Sequence, residues 1–238
     1  MAMTFRRGLK DGIPICLGYI SVSFTFGMMV VEKGFPLWLA VLISMTNLTS
    51  AGQFAGFGII AVGGGFAELA ITTLIINLRY MLMSFSLSQK VEPDMSVPVR
   101  MGIAYGITDE IFAVSMQQHS KVNAKYFTGL MFTPYFGWTL GTLVGAGAAQ
   151  LLPESLRLAL GIAIYGMFLA IIIPPARKSK AVLSVISFAA VLSCVFRYVP
   201  ILSELSSGWV IIICAVVTSA LGAWIFPVKD SDNEEAVK

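Results

Sequence analysis

Hydrophobic residues run through this chain in long blocks that are separated by short polar, glycine-rich or proline-containing turns. The blocks cover residues 12–31, 36–62, 66–88, 101–118, 126–150, 155–174, 180–200 and 208–227. A run of about 20 apolar residues is long enough to cross a bilayer as a helix. The pattern therefore predicts a single membrane domain of about eight spanning helices, followed by a charged cytoplasmic tail at residues 229–238.

The composition points to the same class. The 238 residues are 57% hydrophobic and 12% charged, whereas soluble domains carry about 25% charged residues. We therefore expect an all-α, polytopic protein whose main solvent is the lipid bilayer. The three cysteines fall within apolar blocks and predict neither disulfides nor a metal site, and no cofactor is expected. A net charge of +3 without a basic patch gives no reason to expect nucleic-acid binding.

The distribution of Lys and Arg predicts the orientation, because cytoplasmic loops are enriched in these residues. Eight crossings with a cytoplasmic N-terminus put ten basic residues inside and four outside, so both termini are expected in the cytoplasm. Re-entry is the alternative for block 101–118, but the basic loop 177–180 would then face outward, which argues against it. The inside residues are Arg6, Arg7, Lys10, Lys121, Lys125, Arg177, Lys178, Lys180, Lys229 and Lys238, and the outside residues are Lys33, Lys90, Arg100 and Arg157.

One segment, residues 44–58, is too polar for a lipid-facing helix. It contains the amides of Asn47 and Gln53, several hydroxyls including Ser50, and glycines such as Gly52. A break around Ser50 to Gly52 at mid-membrane would expose backbone N–H groups to a solute. The alternative is a polar, small-residue contact between helices.

Few charges lie within the blocks, and two of them are predicted to lie level with each other. At 1.5 Å per residue, Arg79 is about 13 Å and Asp109 about 12 Å from the same membrane face. We therefore expect Arg79 to pair with Asp109 or Glu110, either at a functional site or merely to neutralise the charge. Asn47 lies about 16 Å into its block, again near the midplane.

These residues could together bind a zwitterion. Free N–H groups at a half-helix N-terminus suit a carboxylate, and carboxylates or free carbonyls suit an ammonium group. The candidate residues for proton coupling or ion pairing are Arg79, Asp109 and Glu110. The candidate substrate-binding residues are Asn47, Ser50, Gly52, Gln53, Asn77 and Arg79.

Two further patterns concern helix packing and repetition. Gly137, Gly141 and Gly145 follow Pro134 at helical spacing, which predicts close packing, with a hinge as the alternative. Residues 8–14 resemble residues 129–134, and Arg79-Tyr80 resembles Arg197-Tyr198. Such similarity predicts a parallel internal repeat of two four-span halves.

The chain contains none of the common catalytic motifs, so we do not expect an enzyme. The remaining alternatives are a secondary transporter and a channel or non-transporting scaffold. Three motifs favour the first: Ser50-Ala-Gly-Gln53-Phe-Ala, Asn77-Leu-Arg79-Tyr80-Met-Leu, and Thr108-Asp109-Glu110-Ile-Phe-Ala. In order and spacing, over about residues 5–175, they resemble the AzlC family of bacterial branched-chain amino-acid permeases.

That resemblance implies export of leucine, isoleucine, valine and similar apolar amino acids across the bacterial inner membrane. It also implies a partner, a small AzlD-type membrane subunit.

Overall fold

The computed structural model describes residues 3–149, 151–153, 155, 156, 166, 169 and 172–227, and it is built of helices. The all-α polytopic class predicted above is confirmed. The predicted span 155–174 lies largely outside the described residues, as does the tail 229–238. The helices are α1 (Phe5–Glu32), α2 (Leu37–Thr46), α3 (Ala51–Ala61), α4 (Phe66–Ser88), α5 (Val97–Tyr105), α6 (Asp109–Met116), α7 (Ala124–Ala148), α8 (Lys180–Tyr198) and α9 (Ser207–Ile225).

Within the described ranges, four helices are long and apolar enough to cross a membrane, namely α1, α4, α8 and α9. The predicted bounds of α4 are exact, and those of α8 and α9 agree to within two residues. α1 begins seven residues earlier than predicted because Thr4 caps it, accepting a hydrogen bond from the Arg7 amide at 3.3 Å. Residues 172–178 are helical, so the prolines at 174 and 175 do not end that helix as predicted.

The chain divides into two compact units. Unit 1 consists of residues 1–57 and 76–165, and unit 2 of residues 58–75 and 166–238. Unit 1 contains every residue singled out above as a candidate for binding or coupling.

The framework of unit 1 is a parallel pair formed by α1 and α7. Thr133 donates its hydroxyl to the Leu9 carbonyl at 3.1 Å, and a Cβ built on Gly137 would lie 2.9 Å from the Cys16 carbonyl oxygen. Only glycine allows backbones to approach this closely, so the predicted packing role of the glycine series is confirmed. We call the end of unit 1 where α1 and α7 begin the near end, and the other the far end.

Helices α2 and α3 form a hairpin. α2 starts at the far end and runs to mid-height, where Leu48 packs against Tyr19 and Trp138. α3 then leads back, because Phe57 stacks edge to face on Phe26 and Phe35 near the far end. We call residues 37–57 hairpin 1, with residues 47–50 as its tip.

Helices α5 and α6 form a second hairpin from the opposite direction. α5 leads from the near end to Tyr105, whose hydroxyl bonds to the Met45 carbonyl close to the tip of hairpin 1. α6 returns to the near end, where Gln118 accepts a hydrogen bond from Arg7 at 2.9 Å. We call residues 97–116 hairpin 2, with residues 106–108 as its tip.

The two hairpins correct the predicted paths of residues 36–62 and 101–118. Each block was expected to cross once, but each breaks and turns back. A break was predicted in the first block, whereas re-entry of the second block was only the alternative to the predicted crossing. Lys90 and Arg100, which were expected on the opposite side from Arg6 and Arg7, therefore lie at the same end of unit 1.

The part of α4 that belongs to unit 1 runs from mid-height to the near end. Tyr80 contacts the tip of hairpin 1, and Leu87 packs in a buried cluster with Val122 and Tyr126 at the near end. This half of α4 is therefore antiparallel to α1 and passes both hairpin tips.

In unit 2, α8 and α9 pack together at Gly222, where an added Cβ would lie 2.8 Å from the Val185 side chain. Glu68 is buried and caps α9: it accepts hydrogen bonds from the Ser206 hydroxyl and, at 3.1 Å, from the Gly208 amide. A carboxylate at a helix N-terminus satisfies free N–H groups and complements the helix dipole.

Candidate functional site

The side chain of Asn47 stabilises the non-helical turn at the tip of hairpin 1. Its Oδ1 accepts hydrogen bonds from the Thr49 hydroxyl at 2.6 Å and the Thr49 amide at 3.2 Å. Ser50 has φ of +46°, a left-handed conformation that is strained for serine. Asparagine favours such turns because its side chain replaces a helical backbone bond.

This geometry shifts the predicted break. We expected it at Ser50 to Gly52, but the unwound residues are 47–50, and Gly52 and Gln53 already belong to the first turn of α3. The N-terminus of α3 nevertheless lies at mid-height as predicted, with the Gly52 amide bonded to the Thr49 carbonyl at 3.2 Å.

The tip of hairpin 2 starts a second half-helix at the same height. Thr108 caps α6 by accepting a hydrogen bond from the Ile111 amide at 3.4 Å, and Asp109 and Glu110 occupy the first helical turn. Acidic residues are favourable there because of the helix dipole. The sequence carries this signal, a threonine followed by two acidic residues, but the predicted path of block 101–118 is a crossing, with re-entry only as its alternative.

Tyr19 of α1 joins the tips. Its hydroxyl donates to Glu110 Oε2 at 2.5 Å and lies 2.7 Å from the Thr108 hydroxyl. The tyrosine ring meets Trp138 edge to face, with centroids 5.2 Å apart, and contacts Leu48 of the first tip. Sequence reasoning missed Tyr19, because an aromatic residue in an apolar helix is usually only a packing residue.

The expected pairing of Arg79 and Asp109 is observed, with Nη2 of Arg79 3.0 Å from Oδ2 of Asp109. Both side chains are more than 40% exposed, so the pair is not enclosed by the protein. Arg79 also lies over the Tyr80 ring at 5.1 Å. Glu110, the other expected partner of Arg79, is hydrogen-bonded to Tyr19.

Asn77 lies beside the start of α3. A Cβ on Gly52 would lie 2.9 Å from Asn77 Oδ1, so the Asn77 amide approaches the α3 backbone closely at this position. Asn77 Oδ1 is buried and has no hydrogen-bond partner among the described residues. A buried acceptor without a donor is unfavourable, and a ligand N–H could satisfy it.

Gln53 faces away from these groups. Its Nε2 donates to Ser44 at 2.7 Å and its Oε1 accepts from Trp138 Nε1 at 2.9 Å. Ser44 also lies 2.7 Å from the Thr142 hydroxyl. The side chain is 2% exposed, and both ends of its amide are paired with protein groups. Gln53 therefore fastens α3 to α2 and α7, and its predicted contact with a substrate stays a prediction.

The site thus unites most of the predicted residues at mid-height of unit 1. Asn47, Ser50 and Gly52 come from hairpin 1, Asn77 and Arg79 from α4, and Asp109 and Glu110 from hairpin 2. Their roles in binding and coupling stay predictions. Within the described part of the chain, no group of three His, Cys, Asp or Glu side chains could hold a metal ion.

Comparison with known proteins finds related membrane proteins. An uncharacterized membrane protein of Archaeoglobus fulgidus is 33% identical over 192 residues, which cover 79% of this chain and 82% of the relative. The inner membrane protein YgaZ of Escherichia coli K12 is 26% identical over 186 residues, covering 75% and 76% respectively. No solved structure matches.

The family model described as AzlC protein matches residues 14–152, which include both hairpins, α4 and all of α7. This match covers more than half of the 238 residues. The chain belongs to the AzlC family.

Proposed function

We propose that this protein is a secondary transporter that exports branched-chain and similar apolar amino acids. The observation that carries the proposal is the meeting of two half-helix N-termini with an accessible Arg79–Asp109 pair at mid-height of unit 1. Broken helices that meet in the membrane are typical of transporter binding sites. Family membership supports a role in membrane transport. As a transporter, the protein is not expected to catalyse a chemical reaction.

The arrangement of charges suits a zwitterion. The N–H groups at the start of α3, near Gly52, together with the Arg79 guanidinium would bind the carboxylate. The open Asn77 Oδ1 and the Asp109 carboxylate would accept hydrogen bonds from the ammonium group. A carboxylate that binds between Arg79 and α3 would compete with Asp109 for the guanidinium, so substrate binding would loosen the ion pair.

Coupling to protons would follow from the same competition. Asp109 released from Arg79, or Glu110 released from Tyr19, becomes a carboxylate that can take up a proton in a membrane site. Proton entry on one side would then accompany amino-acid exit on the other. Export that is unaffected by collapse of the proton gradient would contradict this part of the proposal.

The basic residues of unit 1 favour a cytoplasmic near end. Seven of its described Lys and Arg residues lie there and one lies at the far end, a bias expected of the cytoplasmic side. We therefore place the N-terminus in the cytoplasm of a bacterial cell, in the inner membrane, and expect the C-terminus on the same side. The near-end residues are Arg6, Arg7, Lys10, Lys90, Arg100, Lys121 and Lys125, and the far-end residue is Lys33.

The family resemblance adds a partner to the proposal, a small AzlD-type membrane subunit. Co-expression of this protein with such a subunit, followed by purification through a tag on one of them, tests the association. Recovery of the tagged protein alone at all detergent concentrations would contradict it.

The transport proposal is tested with purified protein in liposomes that are preloaded with radiolabelled leucine. We expect saturable efflux that competes with valine and isoleucine. Asp109→Asn and Asn47→Ala should reduce this efflux more than tenfold while the protein still inserts and purifies normally. Gln89→Ala, at an exposed position near the end of α4, is the matched control and should leave efflux unchanged.

Two outcomes would favour the alternatives. Flux that does not saturate with leucine concentration would indicate a channel. No flux of any amino acid in the presence of the small subunit, or full efflux in both site variants, would show that the polar residues only hold the helices together.

A further inference from the structure

The first half of unit 1 has an inverted internal symmetry. α1 runs from the near end to the far end and is followed by hairpin 1, which enters from the far end. α4 runs toward the near end and is followed by hairpin 2, which enters from the near end. A two-fold axis in the membrane plane would exchange these two parts, as in transporters built from inverted repeats. The parallel repeat predicted from sequence extends into residues that the structure does not describe, and it stays a prediction.

The tips of the two hairpins share one identical residue, a threonine. Leu48-Thr49-Ser50 in hairpin 1 corresponds to Ile107-Thr108-Asp109 in hairpin 2, with the threonines 59 positions apart (108 − 49). The helices that precede the hairpins each carry a tyrosine at mid-height, Tyr19 and Tyr80, 61 positions apart (80 − 19). Both pairs of equivalent residues therefore have nearly the same spacing.

The contacts of these residues are reciprocal. Tyr19, from the first part, bonds to Thr108 at the tip of the second hairpin. Tyr80, from the second part, bonds to the Thr49 carbonyl at the tip of the first hairpin. A two-fold axis demands this relation: if residue i of the first part contacts residue j of the second, residue i of the second part contacts residue j of the first.

The two contacts are unequal in strength. The Tyr19 hydroxyl is 2.7 Å from Thr108 and 2.5 Å from the Glu110 carboxylate, so it makes short, charge-assisted bonds. The Tyr80 hydroxyl is 3.5 Å from the Thr49 carbonyl, at the limit of a hydrogen bond, and interacts with Arg79 at 3.4 Å. In this state the tyrosine contact to the tip of hairpin 2 is therefore short, whereas the tyrosine contact to the tip of hairpin 1 is at the limit of a hydrogen bond.

We propose that Tyr19 and Tyr80 are equivalent positioning residues that hold the opposite hairpins in alternation. In the state described here Tyr19 holds hairpin 2 and closes the near end. In the second state Tyr80 holds hairpin 1, closes the far end, and Tyr19 releases Thr108 and Glu110. This inference rests on the proposed transport function, because an exporter must expose its site to each side in turn.

Release of Tyr19 would also change the surroundings of a candidate coupling group. Glu110 loses its hydroxyl donor, while Arg79, Asp109 and Tyr80 remain near it. Because Glu110 is already exposed in this state, what changes when hairpin 2 opens is the loss of its hydroxyl donor, which links hairpin movement to the proposed coupling site.

Hydrogen exchange followed by mass spectrometry on the full-length protein in nanodiscs tests the alternation. Tyr19→Phe removes the hydroxyl but keeps the ring against Trp138. We expect it to speed amide exchange at residues 107–111 about tenfold, the effect of losing one such bond, and to slow exchange at residues 48–52. Tyr80→Phe should give the opposite pattern, faster at 48–52 and slower at 107–111.

The opposite signs at the two tips distinguish alternation from two independent bonds. Tyr135→Phe is the matched control, since its hydroxyl bonds to the Met45 carbonyl at 3.2 Å but α7 lies outside the inverted pair. It should speed exchange near hairpin 1 without slowing it at hairpin 2. If Tyr19→Phe does not fold, the pattern in Tyr80→Phe decides alone.

The proposal is overturned if each variant changes exchange only at the hairpin that its own tyrosine contacts. Because this readout needs no substrate, it separates the two proposals. Opposite shifts at the tips without leucine efflux would leave the alternation standing and remove the substrate assignment. Leucine efflux without opposite shifts would support the substrate assignment and remove the alternation.

Discussion

The polar side chains at and around the site are of two kinds, those whose hydrogen-bonding atoms are all paired inside the protein and those that keep an unpaired or accessible group. Gln53 is of the first kind, with both ends of its amide bonded inside the protein. Asn77 Oδ1 is of the second kind, and Arg79 and Asp109 pair with each other while remaining accessible. This division separates residues that build the site from residues that are free to act in it.

Replacement of Gln53 tests that division. Gln53→Leu leaves the indole N–H of Trp138 buried without an acceptor, which costs about 1–3 kcal/mol. We expect a lower midpoint of thermal unfolding in detergent, and reduced transport only in proportion to the lost folded protein. Gln89→Leu, at an exposed position, should leave the midpoint unchanged. A normal midpoint combined with abolished transport would instead support direct contact of Gln53 with the substrate.

Sequence reasoning found the charged residues of the site more easily than the hydroxyl groups. The Arg79–Asp109 contact could be predicted because charges within apolar blocks are costly and need partners at the same depth. Tyr19 could not, because its polar atom is a single hydroxyl on a ring that otherwise packs as a hydrophobic residue. The orientation of the Gln53 amide depends on Trp138, which is 85 residues away in sequence.

At the level of helices, composition indicates the segment in which a helix can break, but it does not give the residue at which the break occurs. The glycines near Gln53 suggested an opening at residues 50–52, but the Asn47 side chain fixes it one turn earlier. In hairpin 2, Thr108 followed by two acidic residues is a recognisable N-cap sequence, yet the apolar residues on both sides of it favour an unbroken helix.

The direction of a chain after such a break is not encoded locally. Residues 36–62 are numerous enough either to cross the bilayer or to enter and return. What decides is the stacking of Phe57 on Phe26 and Phe35, a set of contacts between segments distant in sequence. Length and hydropathy therefore could not distinguish a crossing from a hairpin.

The parallel pair of α1 and α7 depends on glycine at its contact face. In Gly141→Ala the new Cβ would lie only 2.5 Å from the Ile20 carbonyl oxygen, so the helices must separate. We expect a loss of about 1–3 kcal/mol in stability, measured as a lower unfolding midpoint in detergent.

Gly147 provides the control on the same helix, since a Cβ there would meet no atom within 4 Å. Gly147→Ala should match the wild-type midpoint or exceed it. Equal effects of the two substitutions would mean that helix propensity, and not contact with α1, governs both positions.

At the scale of the whole molecule, the hairpins change which loops share a side of the membrane. The loops at residues 89–96 and 117–123 both lie at the near end of unit 1, whereas a crossing by residues 101–118 would have put them on opposite sides. Single cysteines introduced at Asp94, His119 and Lys33, after replacement of the three native cysteines, would report this with a membrane-impermeant thiol reagent. All three positions are exposed.

We expect the cysteines at positions 94 and 119 to react from the cytoplasmic side and the cysteine at position 33 from the outside. If positions 94 and 33 react from one side and position 119 from the other, residues 101–118 cross the membrane as the sequence predicted. The positive-inside rule favours the first result, because the path with two hairpins puts more of the basic residues of unit 1 on one side than a path with eight crossings does.

The pairing of α1 with α7 also imposes an order on biosynthesis. Their glycine faces meet at Gly8 and Gly129, whose backbones are in contact although about 120 residues separate them. At translation rates of about 5–20 residues per second, α1 waits roughly 6–24 s in the membrane before its partner is made. Both hairpins and α4 are synthesised in that interval, so α7 arrives last and closes around a site whose other walls are already present.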